Sequence, residues 1–372
     1  MVSMASAQSD KNVTIELAAA HLRQGQPVAI PTETVYGLAA NAFDRDAVLK
    51  VFKLKQRPLF DPLIVHVSAE RSTLAALHEQ GVIDSAQMTE RQKSSFQSLT
   101  SAFWPGPLTV VLPRGPKVAD LVSSGLSTVG IRVPAHVLTQ TLLASLPFPL
   151  AAPSANRFGR VSPTTARHVA DEFGSDLGQI LDGGECVTGV ESTVVLLLGS
   201  GDILVLRPGG VSRERIEMVT GRRAGVQSLP SGALVGASPG TMENHYAPPI
   251  PLILLKNMTQ VADQIKGLKI AVLCVNGAGA GILQLDTELL DGGADILLSE
   301  RLSETENDEE AARNLFAALR RCGACGASLI VANQITRDDG LWLAIADRLR
   351  KASFKGDVSQ LLSQLRAGRG PS

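Results

Sequence analysis

Aromatic residues are the first thing this chain is short of: 372 residues include two Trp, two Tyr and ten Phe. A surface that stacks single-stranded nucleic acid needs exposed rings interleaved with basic side chains, and so few rings cannot build one. Charge of one sign is missing as well. Lys and Arg number 35 against 36 Asp and Glu, a net charge of -1, which excludes a broad basic surface and leaves room only for weak RNA contact through a local patch. No apolar run reaches the roughly 18 to 20 residues of a membrane span. The longest, from about Thr193 to Leu206, is interrupted by Gly199, Ser200, Gly201 and Asp202, so no membrane partner is expected. Four scattered cysteines, Cys186, Cys274, Cys322 and Cys325, do not make a disulfide framework, which fits a reducing cytoplasm. Residues 1–12 lack the apolar stretch of a secretory signal and the arginines of a transit peptide, and are expected to be a frayed tail.

What is present points to a folded α/β protein. The chain is 44% apolar, with 34 Gly and 20 Pro, and it is longer than one core usually supports. A shift to Gly, Ser, Ala and Pro between Thr220 and Pro251 reads as a linker. The expected organisation is a first domain over 13–218, a linker and lid over 219–250, and a second domain over 251–368. In the first, helical spacing over Val13 to Gln24 precedes a buried strand ending at Ile30, and a helix capped by Asp44 runs to Lys55. β-Branched segments bounded by prolines or glycines predict strands at 63–67, 108–112, 128–133, 150–153, 192–198 and 203–207. Beyond the linker, strands at 252–255, 270–275 and 328–331 alternate with helices at 304–321 and 341–351.

Chemistry-bearing residues gather at strand ends and in loops bounded by Pro or Gly, where a rigid scaffold can make them converge. Six segments stand out, at 31–37, 55–58, 127–132, 153–156, 189–193 and 207–209. They combine Lys and Arg with Ser, Thr and Asn, the side chains that hold and orient phosphate oxygens. Singly, each Thr or Ser is an ordinary turn former and each Arg an ordinary surface residue; as a set they favour a polyanionic ligand.

Quoted as they stand, PTETVYGL (31–38), KQRP (55–58), DPLIVH (61–66), WPGPLT (104–109), STVGIRVP (127–134), PSAN (153–156), GVEST (189–193), RPG (207–209) and HYAP (245–248) occur in this order. Over Val13 to Pro248 this series resembles the YrdC-like family, in the two-domain form of the threonylcarbamoyl-AMP synthases. The resemblance implies an α/β fold: a twisted open mixed sheet with a concave cavity, then a smaller Rossmann-like βαβ domain. It implies a nucleotidyltransferase that joins L-threonine, bicarbonate and ATP into threonylcarbamoyl-adenylate and pyrophosphate. The product would pass to the tRNA threonylcarbamoyl-transfer machinery acting beside the anticodon.

Carried onto matching positions, the resemblance implies Lys55 and Arg57 as catalytic residues. It places Thr34, His66, Arg132, the backbone of Ala152, and Ser192 at threonine. Arg57, Asp61, Thr128, Ser154, Asn156, Ser162, Arg207 and, from a lid over Ser238 to Pro248, Tyr246 are placed at ATP. Mg²⁺ would arrive bridging phosphate oxygens and be held by ATP and water, with no metal ligands from the protein. Three departures matter. Asp61 stands where the family commonly has Asn and would repel phosphate unless it faces a cation; Leu196 replaces a common Asp; and Thr241 to Asn244 carry no Lys or Arg. Gly277 to Gly281 follow a strand but lack the third glycine of a dinucleotide loop, and the pair Cys322 and Cys325 lacks the second pair or nearby His that zinc would need. The competing class is a YrdC-like binding module without turnover, separable by threonine- and bicarbonate-dependent release of pyrophosphate.

Overall fold

A computed structural model of the chain describes residues 4–226, 245–255, 261, 264–275 and 293–368. It divides into two compact units, Met1–Phe158 with Ser162–Met242, and Gly159–Val161 with Glu243–Ser372. The first opens with helix α1 (Met4–Arg23), which begins inside the expected frayed tail. Burial of Ile15, Ala18, Ala19 and Leu22 anchors its C-terminal half, and a helix already nucleated extends at little cost into the Ala- and Gln-containing residues before it. Strand β1 (Val28–Ile30) leads through the 31–36 loop to an antiparallel partner, β2 (Gly37–Asn41). Its sequence, Gly-Leu-Ala-Ala-Asn, has no β-branched residue and predicts no strand. It is a strand because β1 pairs with it on one side and β6 (Leu150–Ala151) on the other, a case of tertiary pairing overriding propensity.

Helix α2 (Arg45–Lys55) starts where expected, with the Asp44 carboxylate accepting the amides of Asp46 and Ala47, and stops at Gln56, whose φ of 53° is left-handed. That stop releases Lys55 and Arg57 into a loop. The unit continues through β3 (Ile64–His66), α3 (Leu74–Glu79), α4 (Glu90–Phe103), β4 (Leu108–Pro113), β5 (Thr128–Arg132) and α5 (Val137–Ser145). After β6 come α6 (Ala166–Phe173), β7 (Thr193–Leu197), β8 (Ile203–Arg207), α7 (Arg213–Thr220) and β9 (Ala224–Val226). The last lies in the expected linker; parallel pairing of Ala224 to Val226 with Ile203 to Val205 recruits it to the sheet edge.

The nine strands form one mixed sheet in the order β1-β2-β6-β3-β5-β4-β7-β8-β9. Side chains alternate between its faces. Val65, Val110, Ile131 and Val195 point to one face and enter the main core with Val48 and Phe52 of α2 and Phe96, Leu99 and Phe103 of α4. The opposite face carries a small apolar cluster of Ile64, Val111, Val194 and Leu206. Two residues along from Ile64 is His66, and two before Val111 is Thr109. The pairing of His66 with Arg132, Arg132 with Thr109, Thr109 with Val194, and Val194 with Arg207 then forms a continuous row across five strands. Residues paired directly across strands share a face, so this row places two arginines, a histidine and a threonine together.

The second unit contains a four-stranded parallel sheet in the order β10-β13-β11-β12. Its strands are β10 (Leu252–Leu255), β11 (Lys269–Cys274), β12 (Asp295–Arg301) and β13 (Leu329–Asn333), with helices α8 (Asp308–Ala324), α9 (Trp342–Ala352) and α10 (Val358–Arg366). This is the parallel architecture expected. Strand β12 was not foreseen, because a half-exposed edge strand with Asp, Ser, Glu and Arg lacks the apolar run of its neighbours. Gly277 to Gly281 lie outside the described residues.

Candidate active site

The 31–36 loop is shaped by Thr32. Its hydroxyl donates to the Val35 carbonyl at 2.7 Å and accepts the amides of Thr34 at 3.1 Å and Val35 at 3.2 Å, closing a tight turn. Into this turn reaches Arg132 from the end of β5, 4% exposed. Its Nη2 donates to Glu33 Oε1 at 2.6 Å and to Thr34 Oγ1 at 2.8 Å, and its Nε donates to the Gly106 carbonyl at 3.3 Å. Thr34 and Arg132, both expected at threonine, are thus in direct contact. His66, the cross-strand partner of Arg132, is buried with Nδ1 3.2 Å from the Ile64 carbonyl. Burial, then the neighbouring Arg132 charge, hold its pKa down to about 3, so the imidazole is neutral. Ala152, just past β6, gives its amide to the Ile64 carbonyl at 3.0 Å.

Further along the row, Ser192 Oγ lies 2.8 Å from Thr109 Oγ1 and accepts from Arg207 Nη2 at 3.1 Å; Arg207 also holds the Ser192 carbonyl through Nε and Nη2. The Arg-Pro-Gly sequence is explained by crowding: a Cβ at Gly209 would lie 2.3 Å from the Glu191 carbonyl oxygen and 2.4 Å from the Ser192 carbonyl carbon. Only glycine lets the chain after β8 pass so close to the Gly-Val-Glu-Ser-Thr loop. Ser162 is fully buried and donates to Glu191 Oε1 at 2.7 Å.

The Pro-Ser-Ala-Asn segment follows β6, held by a bridge between Ser154 and Gly37 and by the Ala155 amide on the Tyr36 carbonyl at 2.7 Å. Lys55, 1% exposed, donates to the carbonyls of Ser154 and Asn156, both at 2.5 Å. Burial, then the Arg57 charge, push its pKa well below the usual lysine value, while Asp61, Glu172 and Glu191 oppose the shift. Arg57 pairs with Asp61 at 2.8 Å and donates to the carbonyls of Asp61 and Pro62. Asp61 therefore faces a cation: burial raises its pKa, opposed by Arg57, Lys55 and Arg207 in that order. These mutual effects place Lys55, Arg57, Asp61 and Arg207 in one electrostatic neighbourhood.

One expected residue stands apart on its strand, and another belongs to the second unit. Thr128 begins β5, half-buried, four residues or about 13 Å along the strand from Arg132. Tyr246 belongs to the second unit, 1% exposed, its ring stacked 5.5 Å from Phe316 with the Arg348 guanidinium 5.5 Å from its centre; residues 238–244 of the expected lid lie outside the described residues. Conversely, Glu33, Thr109 and Glu191 received no role from sequence, although each lies inside a recognised motif. Among the described residues, no group of three or more His, Cys, Asp or Glu is placed to hold a metal ion, and no helix is long and apolar enough to cross a membrane.

A family model described as telomere recombination, covering Sua5, YciO and YrdC, matches residues 20–209. A second, described as threonylcarbamoyl-AMP synthase, C-terminal domain, matches 211–353. The chain is 39% identical over 341 residues to the threonylcarbamoyl-AMP synthase of Pyrococcus abyssi, covering 91% of this chain and 94% of the relative. It is 37% identical over 346 residues to that of Bacillus subtilis, covering 93% and 94%. The crystal structure of Pyrococcus abyssi Sua5 complexed with L-threonine superposes with a TM-score of 0.75 at 36% identity, covering 91% of this chain and 94% of that one.

Proposed function

We infer the function from the premise that the chain belongs to the Sua5, YciO and YrdC family, in the two-domain form of the threonylcarbamoyl-AMP synthases. It makes threonylcarbamoyl-adenylate from L-threonine, bicarbonate and ATP, releasing pyrophosphate, for threonylcarbamoyladenosine modification of tRNA. One observation supports this chemistry best: four cations from three separate segments, Lys55 and Arg57 from one, Arg132 and Arg207 from the others, are all buried in the unit whose sheet carries the polar row.

The amine of threonine adds to the carbon of bicarbonate, and loss of water leaves a carbamate. A carbamate oxygen then attacks the α-phosphorus of ATP, the bond to the β-phosphate oxygen breaks, and pyrophosphate departs. No protein nucleophile is required; the protein positions the reactants and stabilises charge. Arg132 takes the threonine carboxylate, flanked by Thr34, neutral His66, the backbone at Ala152, and Ser192. Lys55 has two of its three N–H groups on the Ser154 and Asn156 carbonyls, so it shapes the phosphate loop and offers its remaining proton to phosphate. Arg57, Asp61, Ser154, Asn156, Ser162 and Arg207 surround the nucleotide, with Thr128 at its periphery.

Asp61 is paired with Arg57, Glu33 with Arg132, and Glu191 accepts from Ser162. These carboxylates are committed to protein partners, so Mg²⁺ would come as part of the ATP substrate, where it would offset phosphate charge, rather than be held by them. The reaction belongs in the cytoplasm, where a tRNA threonylcarbamoyl-transfer machinery consumes the product. The test is pyrophosphate release by purified full-length protein with ATP, Mg²⁺, threonine and bicarbonate, omitting each in turn. Release independent of threonine or bicarbonate, or ATP binding without release, would overturn the assignment in favour of a binding module.

A further inference from the structure

We propose that Glu33 is a positioning residue that aims the guanidinium of Arg132 at the substrate carboxylate and leaves it a single edge to use. The inference rests on the reading of Arg132 as the carboxylate ligand. A guanidinium carries five N–H donors in one plane. The Nε proton goes to the Gly106 carbonyl, and the two protons of Nη2 go to Glu33 Oε1 and Thr34 Oγ1. Only Nη1 is left, with two donors. A fork spanning Nη1 and Nη2, the arrangement expected of an arginine meeting a carboxylate, would have to displace Glu33 or Thr34. The threonine carboxylate is therefore held through Nη1.

Glu33 is built to impose this geometry. Its Oε1 is 2.6 Å from Arg132 Nη2, its Oε2 accepts the Ala135 amide at 2.9 Å, and its backbone carbonyl accepts the Thr188 amide at 2.7 Å. The residue is thus fixed by three hydrogen bonds to two separate parts of the chain, 132–135 and Thr188, and is 7% exposed. Thr34 is fixed in turn by Thr32 Oγ1 at 2.8 Å. The guanidinium cannot rotate without breaking contacts on two sides. Glu33 also sets the charge of the subsite. With His66 neutral, Arg132 and Glu33 sum to zero before substrate arrives, which matches a zwitterionic amino acid better than a plain anion.

The experiment measures the threonine and ATP KM values separately for wild type, Glu33→Ala, Arg132→Ala and the double variant, by pyrophosphate release from the full-length chain. Glu33→Ala is expected to raise the threonine KM by about tenfold or more, the worth of a charge-assisted hydrogen bond, and to leave the ATP KM unchanged. In the Arg132→Ala background, Glu33→Ala should add nothing to the threonine KM, because its effect passes through the missing guanidinium. Additive effects, or an equal rise in both KM values, overturn the proposal. Glu33→Gln guards against a folding defect: its amide can satisfy Arg132 or the Ala135 amide but not both, so its threonine KM should lie between those of wild type and Glu33→Ala. A Gln variant with the wild-type value also overturns the proposal. Failure of the underlying reading looks different, since Arg132→Ala itself would then leave the threonine KM unchanged, and both ideas would fall.

Discussion

The neutral state of His66 makes a quantitative prediction about stability and pH. In the fold its pKa lies at about 3, against 6.5 ordinarily, because the ring is buried and faces Arg132. Above pH 6.5 neither the folded nor the unfolded ring binds a proton, and its contribution to stability is fully present. As pH falls from 6.5 towards 3, the unfolded chain takes up a proton that the folded chain refuses, and stability is lost throughout that window. Between pH 7 and pH 5 the loss from this one group is about 2 kcal/mol. His66→Gln has no ring to titrate, so its stability should fall by about 2 kcal/mol less than that of wild type over the same interval. The two tryptophans supply the assay. Trp104 lies in the first unit and Trp342 in the second, so a Trp342→Phe background makes Trp104 fluorescence a reporter of first-unit unfolding in urea. Equal losses in the two proteins between pH 7 and pH 5, or a His66 resonance titrating near 6.5 by NMR, would refute the reasoning.

Arg57→Ala should raise the ATP KM and, by stranding the Asp61 carboxylate, lower stability by about 3 to 5 kcal/mol; Arg57→Ala with Asp61→Asn should regain most of the stability but not the ATP affinity, and parallel recovery of both would contradict the phosphate role. Gly209→Ala places a methyl 2.3 Å from the Glu191 carbonyl oxygen and should yield protein with a lowered melting temperature and little pyrophosphate release; wild-type values for both would show that the loop yields freely. Tyr246→Ala should cost about 3 to 5 kcal/mol in the second unit through loss of a buried ring, whereas Tyr246→Phe keeps the stack on Phe316. Undiminished turnover in both Tyr246 variants would rule out a lid contact with nucleotide.

Much of the sheet was legible because β3, β4, β5, β7 and β8 pair β-branched residues with proline or glycine boundaries. Strand β2 was not, since its Gly-Leu-Ala-Ala-Asn sequence becomes extended only when β1 and β6 flank it. Helix α4 was missed for a related reason: it is polar on most of its surface and buries only Ser95, Phe96, Leu99 and Phe103. Motif recognition singled out the cations of the candidate site and, apart from Glu33, the residues that meet them, but not which pairs with which. Glu33 and Arg132 are 99 residues apart in sequence, and nothing local to either announces an ion pair. Asp61 was a difficulty in sequence because a motif does not say which way its carboxylate points; only four residues from Arg57, it pairs with that guanidinium at 2.8 Å, which removes the difficulty.

Those partners explain how such a site can exist without its substrates. Lys55, Arg57, Arg132 and Arg207 are each 7% exposed or less, and an uncompensated buried cation costs several kcal/mol even after local relaxation. A site awaiting ATP and threonine must therefore supply its own acceptors. Asp61 does this for Arg57, Glu33 for Arg132, the Ser154 and Asn156 carbonyls for Lys55, and the carbonyl and hydroxyl of Ser192 for Arg207. Each acceptor lowers the affinity of its cation for an incoming anion, yet each fixes the cation's direction. A reaction that depends on aligning a carbamate with a phosphorus atom gains more from direction than from raw attraction. Replacing Asp61 by Asn tests this trade: removal of the negative charge should lower the ATP KM, while the less constrained Arg57 lowers kcat. A variant with a lower ATP KM and unchanged kcat would show that the carboxylate serves burial alone.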